Sequence, residues 1–142
     1  MTKLIIALAV AAVLVSAVIV VVFPREKVIW GETVITTAPA EDGKMYRDDD
    51  MLLVEVSREQ PVKAMLSGIV TSVREQGVSI ITDEGNGLFY RGISPQVKVS
   101  QKVTVGDVIG KVTLEPSSQK GEFRVRFIRD ARAIVPQLPP RP

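Results

Sequence analysis

Residues 120–127 read KGEFRVRF, with Phe123, Val125 and Phe127 at every second position and Glu122, Arg124 and Arg126 between them. That is the period of a strand with one face in a core and one polar face, because successive side chains on a strand point to opposite sides. The same pattern extends N-terminally as far as residue 51. MLLVEV (51–56), PVKAML (61–66), GIVTSV (68–73), GVSIITDE (77–84), GLFYRGI (87–93) and VTVGDVIGKVTL (103–114) are short Val- and Ile-rich runs. They are broken at Gly77, Gly85-Asn86-Gly87, Gly106 and Pro116, and none keeps a helical period. Such runs with turn residues between them predict a mainly β domain over 51–136. The stretch 83–87, Asp-Glu-Gly-Asn-Gly, is expected to be a hairpin loop. The Pro-rich tail 137–142 is expected to be extended, since proline lacks the N–H a sheet interior needs.

The N-terminal part is of another kind. After a short tail of residues 1–3, residues 4–23 read LIIALAVAAVLVSAVIVVVF, from Leu4 to Phe23, with no charge and Ser16 as the single polar side chain. About 20 residues at ~1.5 Å each cross a ~30 Å hydrocarbon core, so this run predicts one transmembrane helix. A cleavable signal peptide is the competing reading, with Lys3 as its positive start. Its apolar core would be roughly 7–15 residues long, shorter than this one, and FPREKVIW after it has no A-x-A-like site. An uncleaved anchor with Leu4 and Phe23 at its ends is therefore expected, with membrane lipid as its first partner. Lys3 on one side faces Arg25 and Lys27 on the other, so basic residues do not decide the orientation. Residues 24–50 hold apolar islands at 28–30 and 34–35 and then TTAPAEDGKMYRDDD, and read as a linker with at most one edge strand. Trp30 suits either a membrane interface or the edge of the domain.

Composition removes several functions. With no histidine and no cysteine in 142 residues there is no imidazole base, no thiolate and no disulfide framework. A net charge of +2, with no exposed aromatics set among the basic residues, speaks against a nucleic-acid partner. No glycine-rich phosphate loop precedes a helix.

Taken in order, PVKAMLSGIV, GVSIITDEGNGLFYRGI, VKVSQKVTVGDVIGKV and KGEFRVRF resemble the lysostaphin-type (LytM-like) zinc endopeptidases of bacterial cell walls over roughly residues 60–136. The resemblance implies a small sandwich-barrel hybrid, the duplicated hybrid motif of that family, here carried on one N-terminal transmembrane helix. It also implies positions for the catalytic site. Gly92 stands where the family has a catalytic histidine after the Tyr-x motif, and Lys120 and Glu122 stand where it has the two histidines of its last strand. Phe123 and Arg126 match family residues. Ser100 replaces a glycine of the long turn. The family's first ligands belong shortly before Pro61, where this chain offers Asp48-Asp49-Asp50 or Leu52-Leu53.

A hydrolytic zinc site needs about three protein ligands and an open water position. The expectation is thus a frame without catalyst: no catalytic residue, no metal, no cofactor. A hard-cation site from Glu122 and Asp49 is the weaker reading of an acidic run that is ordinarily solvated. The resemblance implies that such relatives act by docking to protein partners in the envelope, among them cell-wall amidases, or within a multi-subunit membrane assembly. Tyr90, Arg91, Arg124 and Arg126 are the candidate partner-binding residues, since Tyr and Arg join contact area to directional hydrogen bonds. The domain is expected outside the cytoplasmic membrane, in a bacterial envelope or as a structural part of a phage or other membrane-bearing particle. The alternative is a lipoyl-like adaptor of a transport or secretion assembly, in which PVKAMLSGIV and VTVGDVIGKV are two halves of a small sandwich. If the anchor is uncleaved, the intact mass of membrane-extracted protein will include residues 4–23; a mature N-terminus beyond Phe23 would overturn it.

Overall fold

The computed structural model describes residues 28–142, so the expected anchor between Leu4 and Phe23 lies outside the described residues. The described part is built from strands. They are β1 (Val28–Trp30), β2 (Thr33–Ile35), β3 (Lys44–Asp48), β4 (Met51–Val56), β5 (Gln60–Lys63), β6 (Gly68–Arg74) and β7 (Gly77–Thr82), then β8 (Gly87–Arg91), β9 (Ser94–Pro95), β10 (Lys102–Val103), β11 (Val108–Val112), β12 (Gly121–Arg129) and β13 (Arg132–Ile134). One large sheet runs β10-β6-β7-β8-β12-β4-β3, with β13 added beside β12. A second sheet runs β5-β11-β9, and β1 and β2 form a separate hairpin.

The opening stretch becomes β12, the longest strand, paired antiparallel with β4 on one side and β8 on the other. Phe123, Val125 and Phe127 are buried, as the alternation requires, and the residues between them are more exposed. The buried set joins Leu52 and Val54 of β4, Val78 and Ile80 of β7, and Leu88 of β8 in one cluster. Val62, Ile109 and Val112 close it from the three-stranded sheet. Strand periodicity thus produces two apolar faces, and the core lies between the sheets.

The loop 83–86 joins β7 to β8 as expected. Gly85 takes φ +85, its N–H donates to the Thr82 carbonyl, and the Asn86 N–H donates to Thr82 Oγ1. Ser100, in the place of a family glycine, keeps a glycine-like backbone at φ +73, and its N–H donates to the Val70 carbonyl. The turn geometry is held there by a residue that disfavours it.

Residues 24–50 differ from the expected linker. From Val28 onward they contribute three strands: β3 extends the large sheet, while the β1-β2 hairpin buries Val28, Trp30 and Ile35. Trp30 is fully buried and stacks on Phe127 with ring centroids 5.4 Å apart, which excludes the membrane interface for this side chain. Its indole N–H has no hydrogen-bond partner among the described residues, so ring packing holds it in place. The islands at 28–30 and 34–35 are short because each strand has three residues, too few for periodicity to identify. The tail also belongs to the domain. The Gln137 N–H donates to the Ile29 carbonyl, and the Arg47 N–H donates to the Pro139 carbonyl at 2.8 Å, setting Pro140 beside the outer edge of β3 in parallel. Prolines along an edge strand blunt it against further pairing.

Tyr90 requires a correction. It was expected on a binding surface, yet it is 2% exposed and lies in the core on the same side of β8 as Leu88. Its hydroxyl accepts a hydrogen bond from the buried Met65 N–H at 2.9 Å, tying the large sheet to the segment after β5. Burial pushes the phenol well above its ordinary pKa, with the Met65 bond acting in the opposite direction.

Two outcomes follow from this packing. Phe127→Ala removes a buried ring and its stacking on Trp30, and is expected to cost about 3–5 kcal/mol in denaturant unfolding. Tyr90→Phe leaves the Met65 N–H unsatisfied and is expected to cost about 1–3 kcal/mol. Since the folded pKa lies above the unfolded one, the phenol's contribution is whole below the unfolded pKa and is lost as pH rises from there through the folded value. Tyr90→Phe should therefore flatten the alkaline fall in melting temperature, and an unchanged alkaline limb would contradict this.

Candidate functional site

The three positions singled out by the family pattern meet in space. Gly92, just after β8, Lys120, just before β12, and Glu122, at its start, line one cleft of about 410 Å³ together with Ser94, Thr113 and Glu55. Chain segments far apart in sequence supply its walls: β4, the turn after β8, the end of β11 and the start of β12. Gly121 sits where a Cβ would lie 2.5 Å from the Thr113 carbonyl oxygen, so the close approach of this wall to β12 needs glycine.

Gly92 is set by its backbone. It has φ +92, and a Cβ there would lie 3.1 Å from the Glu122 carbonyl oxygen and 3.3 Å from Phe123 Cα. The Gly92 N–H donates to the Gln76 carbonyl at 2.8 Å, fixing the turn. Any L side chain at this position would be strained.

Glu122 belongs to an ion network. It lies directly opposite Glu55 across the β12-β4 ladder, an arrangement of like charges that is unfavourable by itself. Arg141, from the tail, lies between them. Its Nη2 donates to Glu122 Oε2 at 2.7 Å, its Nε donates to Glu55 Oε1 at 2.9 Å, and its Nη2 is also 2.7 Å from that Glu55 oxygen. Bonds to Glu55 and then Glu122 hold the guanidinium above its ordinary pKa. The other oxygen of Glu122 accepts from Arg124 Nη1 at 3.2 Å.

Arg124 and Arg126 lie on the outer face of β12, the face opposite the core, and meet the acidic run. Arg124 Nε donates to Asp48 Oδ2 at 2.8 Å, and Arg126 Nη2 donates to Asp50 Oδ1 at 3.4 Å. The Asp48 bond is the main reason Arg124 is held above its ordinary pKa, partly offset by burial and supported by Glu122. Asp49 sits in the β3-β4 turn at φ +56. Two of the three aspartates thus serve as counter-charges to β12. Among the described residues no group of three or more His, Cys, Asp or Glu side chains is arranged to hold a metal ion.

Arg91 is exposed, opposite Arg124 on β8, and borders a different hollow with Arg74, Gln76 and Phe89. Of the four proposed contact residues, Arg91, Arg124 and Arg126 are on one face of the large sheet and Tyr90 is in the core. Sequence reasoning missed Glu55 and Arg141. Parity in MLLVEV gave no clear signal for Glu55, because Leu53, which shares its parity, is fully buried.

No family model matches the chain, and no curated protein matches it. Among solved structures the fold is similar to lysostaphin. The solution structure of lysostaphin matches with a TM-score of 0.55 at 18% identity, over 66% of this chain and 45% of that one. The catalytic domain of the antimicrobial peptidase lysostaphin from Staphylococcus simulans matches with a TM-score of 0.50 at 18% identity, over 66% of this chain and 84% of that one. This chain therefore spans less than half the length of full lysostaphin, and at such identity what the two share is the fold.

Proposed function

We propose that this chain is a non-catalytic binding module on a lysostaphin-like fold, held at a membrane by residues 4–23 and docking protein partners of a cell envelope or membrane-bearing particle. The observation that carries the reading is the chemistry of the cleft. At the three positions where the family pattern calls for histidine, Gly92 brings no donor, Lys120 brings an ammonium, and Glu122 brings a carboxylate with both oxygens bonded to guanidinium groups. A zinc ion does not fit that set. It needs about three neutral or anionic donors around it, and of these three positions Glu122 alone carries one, already engaged by Arg124 and Arg141. No other imidazole or thiolate exists in the chain to replace them.

The length of chain before the domain supports a role close to the membrane. Because β1 begins at Val28, only residues 24–27 separate the apolar run from the fold. Four residues span at most about 14 Å in any conformation, so an anchored domain rests near the bilayer surface. That is too short a tether to reach distant polymer, and it suits docking between membrane neighbours. On this reading the domain lies outside the cytoplasmic membrane, where the lysostaphin-like fold would meet cell-wall machinery.

The test uses full-length protein in detergent. Elemental analysis is expected to find no stoichiometric zinc, and incubation with cross-linked peptidoglycan is expected to release muropeptides no faster than a blank. Pull-down from the native membrane is expected to recover a stoichiometric protein partner. Zinc at one per chain together with muropeptide release would overturn the proposal.

A further inference from the structure

The position of Arg141 describes a ligand as well as a contact. Glu55 and Glu122 are direct cross-strand neighbours, and nothing in strand pairing requires two carboxylates there. Arg141 reaches both from a separate segment, whose backbone runs parallel to the outer edge of β3. Beyond Leu138, which packs against the core, the segment has few ties. Pro139, Pro140 and Pro142 have no N–H to give, the Arg47–Pro139 bond attaches it to the β3 edge, and the Arg141 side chain is 45% exposed. Exposed ion pairs contribute little, so this occupant is exchangeable. Beside the guanidinium the cleft continues as open volume toward Lys120 and Gly92.

We propose that the β3 edge and the Glu55–Glu122 pair form a receptor groove for an extended, proline-flanked, arginine-bearing segment of a partner protein, and that residues 139–142 occupy this groove in cis. The inference deepens the docking role proposed above and rests on it, by naming the partner's chemistry. Recognition divides into two parts. The Arg47 N–H reads an extended backbone by strand addition. The paired carboxylates then read a guanidinium, whose planar fork serves two acceptors at once where an ammonium is a point charge. Proline beside the arginine keeps the segment extended before it binds, lowering the ordering cost. The cis segment competes, so the groove's apparent affinity is set by the fraction of molecules in which Arg141 has left.

The experiment measures fluorescence anisotropy of a fluorescein-labelled peptide of the 138–142 sequence with full-length protein in detergent. Arg141→Ala is expected to bind the peptide at least about tenfold more tightly than the unmodified chain, because the cis guanidinium has left the carboxylate pair and the cis segment keeps the Arg47–Pro139 bond alone. Adding Glu122→Gln to that variant should abolish the gain, and a peptide with lysine for arginine should bind more weakly. Should Arg141→Ala lose its fold by circular dichroism, Arg141→Lys takes its place with the same expected order. Equal affinity of variant and unmodified chain, no uptake by a folded variant, or uptake indifferent to Glu122→Gln would each overturn the proposal. The zinc and muropeptide measurements are independent of this readout. Their failure removes the non-catalytic reading, whereas failure of peptide uptake removes the receptor groove alone.

Discussion

The placement of β12 between β4 and β8 is the constraint on which the domain depends. One strand carries the aromatic residues that unite the core and, on its other face, the charges that define the surface. Its two sets of side chains cannot be moved independently, because a one-residue slip would turn Phe123, Val125 and Phe127 to water and bury Glu122, Arg124 and Arg126. Register is therefore held by burial from one side and by ion pairing from the other. Trp30 stacked on Phe127, with the Arg129 guanidinium 5.8 Å from the ring centroid, fixes the C-terminal half of the strand.

Charge on the outer face is organised by the same register. Asp48 and Asp50 flank the turn that joins β3 to β4, and β4 pairs with β12, so the acidic run is delivered to Arg124 and Arg126. Such half-exposed pairs add little stability each. Their larger effect is on availability, since an arginine already bonded to a carboxylate must give up that bond before it meets a partner. Arg91 has no such engagement among the described ion pairs and is the freest of the three.

The cleft is shaped by backbone as much as by side chains. A turn that requires positive φ at Gly92, and a strand start that requires Gly121 for close approach, shape a concavity without supplying any reactive group. What fills the space is then decided by the side chains at its rim. Here these are the facing carboxylates of Glu55 and Glu122, a third carboxylate from Glu115, Lys120, and Arg141 carried in by the tail, a set that leaves a small negative excess.

The sequence by itself determined what depends on near neighbours. The alternation in β12, the glycine turn at 83–87, the strand-and-turn grammar from residue 51 and the lack of any imidazole or thiolate all follow from residues a few positions apart or from composition. The order of four short motifs pointed to the lysostaphin-like fold because spacing between strands is also a sequence property. Tyr90 was legible only in part: Leu88 and Tyr90 share one parity and Phe89 the other, so either set is apolar enough to face inward, and the neighbouring strands chose. The inclusion of residues 28–35 was not legible, because three-residue strands have no period and the burial of Trp30 depends on Phe127 far along the chain. The pairing of Arg124 with Asp48 spans 76 residues, and that of Arg141 with Glu55 spans 86. Only the tertiary structure decided those, since the energy of an ion pair depends on distance in space, and it is sheet register that brings residues so far apart in the chain within reach.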